Sequence, residues 1–441
     1  ILPVVEPKVY LTVGAFHGCD HAAMLAELKR EGVTAAEIIT LADEAPDGAH
    51  RLSDLIAQAS TAPYPTPADL DAAEGLTICW TSGTEAMPKG VPRHHDHWVV
   101  NGEALVEAAG LMPGDTVLNP FPLINIAAIG GMLMTWLQCQ GRLVQHHPFD
   151  LPIFLRQMQE EKVAYTVAPP AVLNMLLQNE ALLSATNLSA LRCLGSGSAP
   201  LSPWMVKGWQ ERHGVTVMNV FGSNEGCSLF STGDAIPDAE QRARFFPRFG
   251  AQGVDWPAQF PAKIRTRLVD LATGQEITQP GIEGELRISG AMTFDGYYKA
   301  PDLTRAAFDD QGFFRTGDLF EIAPDGGGRF YRFVGRCKEI IIRGGQNISP
   351  AELDVLVESH PKVREGACVA YPDERLGERV CAVVALKPGV EALTLDELNA
   401  HLKAHDIATF KLPEKLRIVE ALPRNPLNKV LRRDLGGVAA S

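Results

Sequence analysis

Several absences narrow this chain before any motif is considered. No two of its eight cysteines (Cys19, Cys79, Cys139, Cys193, Cys227, Cys337, Cys368 and Cys381) have Cys-x-x-Cys spacing, and they scatter over 441 residues. That argues against a disulfide framework or a zinc site and predicts reduced thiols in a cytoplasmic protein. Long apolar runs are also missing. The longest, Ile126 to Leu137, is broken by Gly130, Gly131 and Thr135 and falls short of the roughly 20 residues of a membrane span. No basic-then-apolar leader precedes Ile1, so no secretory signal is expected. The chain starts inside an apolar run without Met, and upstream residues are expected to be missing. Positive charge is scarce: 40 Lys and Arg face 53 Asp and Glu, a net −13. An acidic chain repels nucleic acid and anionic lipid, although a local site for a small phosphorylated ligand can override net charge. Internal repeats and low-complexity tracts are absent.

What remains is an ordinary globular composition, 46% hydrophobic and 21% charged, long enough for two to four compact units. Strand-like and helix-like segments alternate: strands at 9–13, 38–41 and 76–80, a helix at 20–31, then strands at 163–167, 191–194 and 215–221. This predicts α/β architecture with largely parallel sheet. The last three strands end in small or polar loops, Ala168-Pro169-Pro170, Gly195 to Pro200 and Gly222 to Gly226. Ligands bind outside the carboxyl ends of such strands, so these loops are candidates for one shared site. From Lys263 the texture changes to short β-like runs between Gly and Pro turns. Beyond Arg336 the pattern reads βαββα, about one hundred residues suited to a separate domain.

The sharpest segment is Thr81-Ser82-Gly83-Thr84-Glu85-Ala86-Met87-Pro88-Lys89-Gly90. Hydroxyls, glycines and one lysine after a strand can wrap polyphosphate, the backbone N–H groups donating and the ammonium neutralising. It is not a Walker loop, because Lys89 lacks a preceding Gly and a following Ser or Thr. Further segments follow in order: Ser196-Gly197-Ser198-Ala199-Pro200, Phe221-Gly222-Ser223-Asn224-Glu225, Gly284-Glu285, Gly296-Tyr297-Tyr298 and Thr316-Gly317-Asp318. Gly335-Arg336-x-Lys338-Glu339, Gly344-Gly345-x-Asn347-Ile348 and Pro423-Arg424-Asn425-Pro426-Leu427-Asn428-Lys429 complete the series. Taken in this order, residues 76 to 435 resemble the adenylate-forming superfamily of acyl-CoA and aryl-CoA synthetases, peptide-synthetase adenylation domains and luciferases.

That resemblance implies a large adenylating domain over residues 1–336, made of parallel sheets with helices plus a small β region. It implies a hinge at 337–339 and a mobile α+β domain over 340–441. By the same resemblance Thr81, Ser82, Gly83, Thr84 and Lys89 hold the β- and γ-phosphates of ATP, and Glu225 binds Mg²⁺. Ser198, Ala199, Pro200, Phe221, Gly222 and Asn224 surround the adenine, with Phe221 stacked on it. Asp318 accepts from the ribose hydroxyls and Arg336 donates to the ribose. Lys429 is the implied catalytic lysine, bridging the attacking carboxylate and the α-phosphate. Lys338 is the hinge, and Gly344 and Gly345 line the thiol channel. Asn125, Ile126 and Gly195 fall on the acid side. Each residue alone has a plainer reading: a turn, a core aromatic, a surface lysine.

Departures from the family pattern are Glu85-Ala86 for Thr-Gly, Asn224 for Thr, and Asn428 for the Gly before Lys429. Asn tolerates positive φ next best after Gly, so that last turn is expected to survive. The expected function is ATP-dependent formation of an acyl-AMP and then an acyl-CoA, from a medium-sized apolar or aromatic carboxylic acid. CoA is favoured because the chain ends twelve residues after Lys429, without a fused carrier domain. The rivals are a stand-alone enzyme that loads a separate carrier protein, and a nucleotide-binding pseudoenzyme motivated by the departures. His94, His95, Asp96 and His97 look like a metal cluster but are read as a helix start, where only His94 and His97 share a face.

Overall fold

A computed structural model describes residues 1–441 except 17, 64–68, 82–87, 125, 406, 425–429 and 441. The chain divides into two units, Ile1–Asp71 and Ala72–Ser441. In the first, the strands Val9–Thr12, Glu37–Thr40 and Ala49–Arg51 form a parallel sheet in that order. The helix His21–Arg30 starts at Asp20, whose carboxylate accepts the Ala23 N–H at 2.9 Å. Its apolar stripe, Ala22, Leu25 and Ala26, is buried; Leu25 and Ala26 pack on Ile38 of the sheet, an i, i+3, i+4 face meeting a strand.

The second unit opens with an antiparallel hairpin, Gly75–Trp80 with Gly90–His94, and the helix His95–Ala108. Next comes a six-stranded sheet in the order Ser228–Ser231, Thr216–Gly222, Cys193–Gly197, Val163–Val167, Thr116–Asn119, Arg142–Gln145. All its pairs are parallel except the first. Both faces are covered, as parallel strands require. On one face Leu118, Leu194 and Val217 meet Phe154, Leu173, Met205 and Trp209 of three helices. On the other Val117, Cys193 and Met218 share a core with Leu105 and with phenylalanines of a second sheet. That second sheet also has six strands, all antiparallel: Phe245–Pro247, Phe330–Arg336, Phe314–Ile322, Glu283–Gly290, Ile264–Val269, Glu276–Ile277.

The last hundred residues form a five-stranded sheet. Its long strands Val363–Asp373 and Gly377–Leu386 are antiparallel, and Lys415–Ile418 adds in parallel. The helices Pro350–Glu358 and Leu395–Lys403 bury Leu353, Val357, Leu398 and Leu402 on one face. Leu435 and Ala439 of the helix Arg432–Ala440 cover the other.

Between the helix Ile126–Ala128 and the helix Thr135–Cys139 runs a π-helix, Ile129–Met134. The wider winding leaves the Gly130 carbonyl to two side chains, Asn101 Nδ2 and Thr135 Oγ1, each at 3.2 Å. Gly130 lies so close to Trp98 and Asn101 that a Cβ there would come within 3.0 Å of both.

Candidate active site

Thr81 and Lys89 belong to the Thr81–Gly90 motif and lie where the two strands of the opening hairpin meet it. They face each other: the Thr81 N–H donates to the Lys89 carbonyl at 3.0 Å, and the Lys89 N–H donates to Thr81 Oγ1 at 3.1 Å. Ser82, Gly83 and Thr84, with Glu85 and Ala86, lie outside the described residues. The Lys89 ammonium sits 4.9 Å from the centroid of the Tyr297 ring.

Tyr297 connects this hairpin to the acidic loop. Its hydroxyl donates to Glu225 Oε1 at 2.9 Å, and the Phe294 N–H donates to the Glu225 carbonyl at 2.9 Å. Burial, and then the Glu225 charge, push the Tyr297 phenol well up, so it stays protonated and remains a donor. Gly226 follows at φ +86°, where a Cβ would strike the Met292 carbonyl at 1.9 Å; only glycine lets the loop lie this close. Beneath the loop is Arg93, fully buried, its guanidinium 4.3 Å over the Trp98 ring. Its Nη1 donates to the Asn224 carbonyl at 3.3 Å, while Nε and Nη2 have no hydrogen-bond partner. Burial brings this guanidinium down to about 10.

The neighbouring loops lie alongside because their strands are adjacent and parallel. Ser196 Oγ donates to the Ala168 carbonyl at 2.9 Å, and the Ala168 N–H donates to the Gly195 carbonyl at 3.0 Å. Ser198 takes a left-handed φ of +64°, turning Ser198, Ala199 and Pro200 outward, where all three are exposed. Phe221 is half-buried, edge-on to Phe320 at 5.2 Å and Phe246 at 6.1 Å. Gly222 is exposed beside it and Asn224 half-buried.

Asp318 and Arg336 are direct cross-strand partners, with Arg336 Nε 3.2 Å from Asp318 Oδ1. Asp318 is 7% exposed. Thr316 Oγ1 accepts the Asp318 N–H at 3.1 Å and donates to the Leu286 carbonyl at 2.6 Å, which fixes the turn. Just beyond, the Cys337 N–H donates to the Gly317 carbonyl at 2.9 Å. Lys338 is exposed. On its far side Arg432 Nε lies 3.0 Å from Glu339, and the Ser349 hydroxyl donates to the Val334 carbonyl. Gly344 and Gly345 form the two-residue turn between Ile341–Arg343 and Gln346–Ile348, with φ +57° and +82°; positive φ at both positions selects glycine.

Ile126 packs with Trp98 and Ile129. Gly195 is buried, and a Cβ there would come within 3.0 Å of Val167 and the Tyr165 hydroxyl. Asn125 and Lys429, with Asn428, lie outside the described residues. The structure thus joins Lys89 to Glu225 through Tyr297, and Asp318 to Arg336. From the sequence, Arg93 stands out only within Pro92-Arg93-x-His95, a segment similar to that of aryl-acid activators; Asp295 does not stand out, and Gly296-Tyr297-Tyr298 is a motif without an assigned role.

The AMP-binding enzyme family matches residues 1–298, and the AMP-binding enzyme C-terminal domain matches residues 352–429. The chain is 31% identical to the medium-chain fatty-acid–CoA ligase of Escherichia coli K12 over 82% of its own length and 61% of that protein. It is 29% identical to the salicyl-AMP ligase / salicyl-S-ArCP synthetase of Mycobacterium tuberculosis, over 94% and 70%. ATP-bound MatB from Rhodopseudomonas palustris superposes with a TM-score of 0.80 at 28% identity, over 99% of this chain and 80% of that one. The chain therefore spans about six tenths of the E. coli ligase. The sheets, the ordered motifs and these matches agree: the chain belongs to the AMP-binding enzyme family, the adenylate-forming superfamily.

Proposed function

We propose that this chain carries the machinery for activating a carboxylic acid with ATP to an acyl-adenylate, followed by transfer of the acyl group to CoA. The observation that supports the reading is the Lys89–Tyr297–Glu225 line, a cation, a donor and a carboxylate in succession. In the first step an oxygen of the substrate carboxylate bonds to the α-phosphorus and the bond to pyrophosphate breaks. In the second a thiol sulfur takes the acyl carbon and AMP leaves.

Two anions must approach in the first step, so positive charge has to be fixed in advance. Lys89 and Lys429 supply it, Lys89 at the departing phosphates and Lys429 at the carboxylate. Glu225 fits Mg²⁺, a hard cation bound by one or two carboxylates plus substrate phosphates. When bound, that ion neutralises phosphate charge; Tyr297 holds the carboxylate in place through Oε1. Asp318 and Arg336 orient the ribose, and Phe221 offers a partly open ring to the adenine. Residues 1–336 act as the adenylating domain and 340–441 as the mobile one. The turn at 337–339, with exposed Lys338, is the hinge that alternates the Lys429 segment with Gly344 and Gly345. The E. coli relative's medium-chain acids and the M. tuberculosis relative's salicylate support a medium-sized apolar or aromatic acid.

Transfer to a separate carrier protein is the second reading, favoured by the salicyl-S-ArCP synthetase among the relatives. Acid-dependent ATP–pyrophosphate exchange over a panel of acids tests activation, with aryl and medium-chain acids expected above acetate. No exchange with any acid selects the pseudoenzyme. Adding CoA or a purified carrier then separates the acceptors.

A further inference from the structure

One cluster of side chains has no part in that chemistry. His94 ends the strand Gly90–His94, His97 lies in the first turn of the helix His95–Ala108, and Asp295 comes from the loop after the strand Glu283–Gly290. His94 Nδ1 is 3.4 Å from Asp295 Oδ2, and His97 Nε2 is 3.9 Å from the same oxygen. All three donor atoms lie within 4.8 Å of one another. The two imidazoles stack, their centroids 4.7 Å apart at 15°.

We propose that His94, His97 and Asp295 form a binding site for a first-row divalent transition metal ion of the zinc class. Two imidazoles and one carboxylate suit Zn²⁺, Co²⁺ or Ni²⁺, whereas Mg²⁺ prefers oxygen alone. Around a four-coordinate ion with bonds of about 2.0–2.1 Å, ligand atoms sit about 3.3 Å apart. The 3.4 Å separation already meets this, the 3.9 Å one needs a small contraction, and the imidazole–imidazole separation, within 4.8 Å, closes by rotation of half-buried His94. Asp295, its side chain 70% exposed on a loop, is free to make the contraction, while His97, at 8%, stays put. His97 is also deprotonated more readily than an ordinary imidazole, because of burial and then the neighbouring Arg93 charge. A fourth position is left for water.

Two features weaken the site. The His94 N–H donates to His97 Nδ1 at 3.1 Å, so the proton of neutral His97 sits on Nε2, facing Asp295. Ligation through Nε2 shifts that proton to Nδ1 and forfeits this hydrogen bond. The Arg93 guanidinium also repels a cation, against attraction from Asp295 and Asp96. Three protein ligands outweigh these costs but set a modest affinity. Asp295 stands two residues before Tyr297, so a bound ion ties the Glu225 partner to the start of the helix. This site does not depend on the acid-activation reading.

The test is titration of the metal-stripped chain with Co²⁺, followed by the visible band of four-coordinate cobalt and by displacement with Zn²⁺. One Co²⁺ should bind per chain. Affinity should fall by about tenfold or more in each of His97→Gln and Asp295→Asn. It should be unchanged in His95→Gln and in Glu225→Gln. Asp295 is exposed, so its variant folds even if a His97 variant does not. Absence of saturable Co²⁺ binding overturns the proposal. So does binding that survives both ligand substitutions, or binding that disappears in Glu225→Gln instead.

Discussion

Tyr297 donates its phenol proton to Glu225 at 2.9 Å, although 72 residues separate the two in the chain. The bond holds the carboxylate by one oxygen, Oε1. Tyr297→Phe removes the donor and keeps the ring under Lys89. A hydrogen bond to a charged group is worth about 1.5–3 kcal/mol, so half-saturating Mg²⁺ in pyrophosphate exchange should rise about tenfold. The melting temperature should barely move. Unchanged Mg²⁺ dependence would detach Tyr297 from the metal.

Asp318→Ala removes an acceptor proposed for the ribose diol. Its structural partner Arg336 has a side chain 48% exposed, so water can replace the lost carboxylate and stability should hold. Affinity for ATP and for AMP should each fall about tenfold or more by calorimetry. Equal affinities in the two proteins would remove Asp318 from the nucleotide site.

Lys429 and the pair Gly344 and Gly345 belong to the same C-terminal region yet are assigned to different steps. Lys429→Ala should cripple adenylate formation and largely spare thioester formation from pre-made acyl-AMP, a step with no second anion to neutralise. Lys338→Pro should do the reverse, because proline holds φ near about −65° at the hinge. Single-turnover kinetics of each half-reaction decides the matter. Equal losses in both steps for both variants would end the alternation model.

Asp309 anchors the antiparallel sheet. Burial opposes its ionisation, but hydrogen bonds from Arg267, the Phe313 amide and Arg287 prevail and hold its pKa at about 2. A carboxylate depressed in the folded state adds stability above its unfolded pKa of 3.8, and that stability is lost as pH falls towards 2. Asp309→Asn leaves buried Arg267 without its anion, while Arg287 keeps Glu285 at 3.0 Å, and should cost about 3 kcal/mol at neutral pH. The difference from the parent should shrink below pH 3.8, as acid titrations of the melting temperature can show.

Much of this architecture can be read along the chain, where local pattern and tertiary packing agree. The run Val163 to Val167 forms a strand with those bounds, because β-branched residues between helix signals have one economical fate. The two helices of the βαββα pattern fall at Pro350–Glu358 and Leu395–Lys403, starting at Ser349 and Thr394, whose side chains accept backbone N–H groups. The antiparallel partner strand Gly90–His94 escaped notice, since its pairing depends on Gly75–Trp80 across the loop rather than on its own Pro-containing sequence. The π-helix was illegible for a similar reason: its winding is stabilised by Asn101, far upstream. In the site, motif residues such as Glu225 and Asp318 are visible as motifs. Asp295 is not, because a loop aspartate acquires meaning only from neighbours distant in sequence, and the burial of Arg93 under the Asn224 carbonyl is equally beyond local pattern. The two histidines of the 94–97 run do share a face, and their third companion lies nearly two hundred residues away.

The π-helix also bears on how such a chain can diverge. Six residues wound one per turn too wide hold one residue more than an α-helix would need to cover the same span. Deleting either Gly130 or Gly131 lets the segment relax to α winding, and each α residue turns by about 100° about the axis. The flanks Ile126–Ala128 and Thr135–Cys139 would keep their directions, while buried Asn101 and Thr135 would lose the carbonyl that both now share. The extra residue is thus an insertion that the helix has absorbed locally, and losing it would leave two buried polar side chains to find new partners.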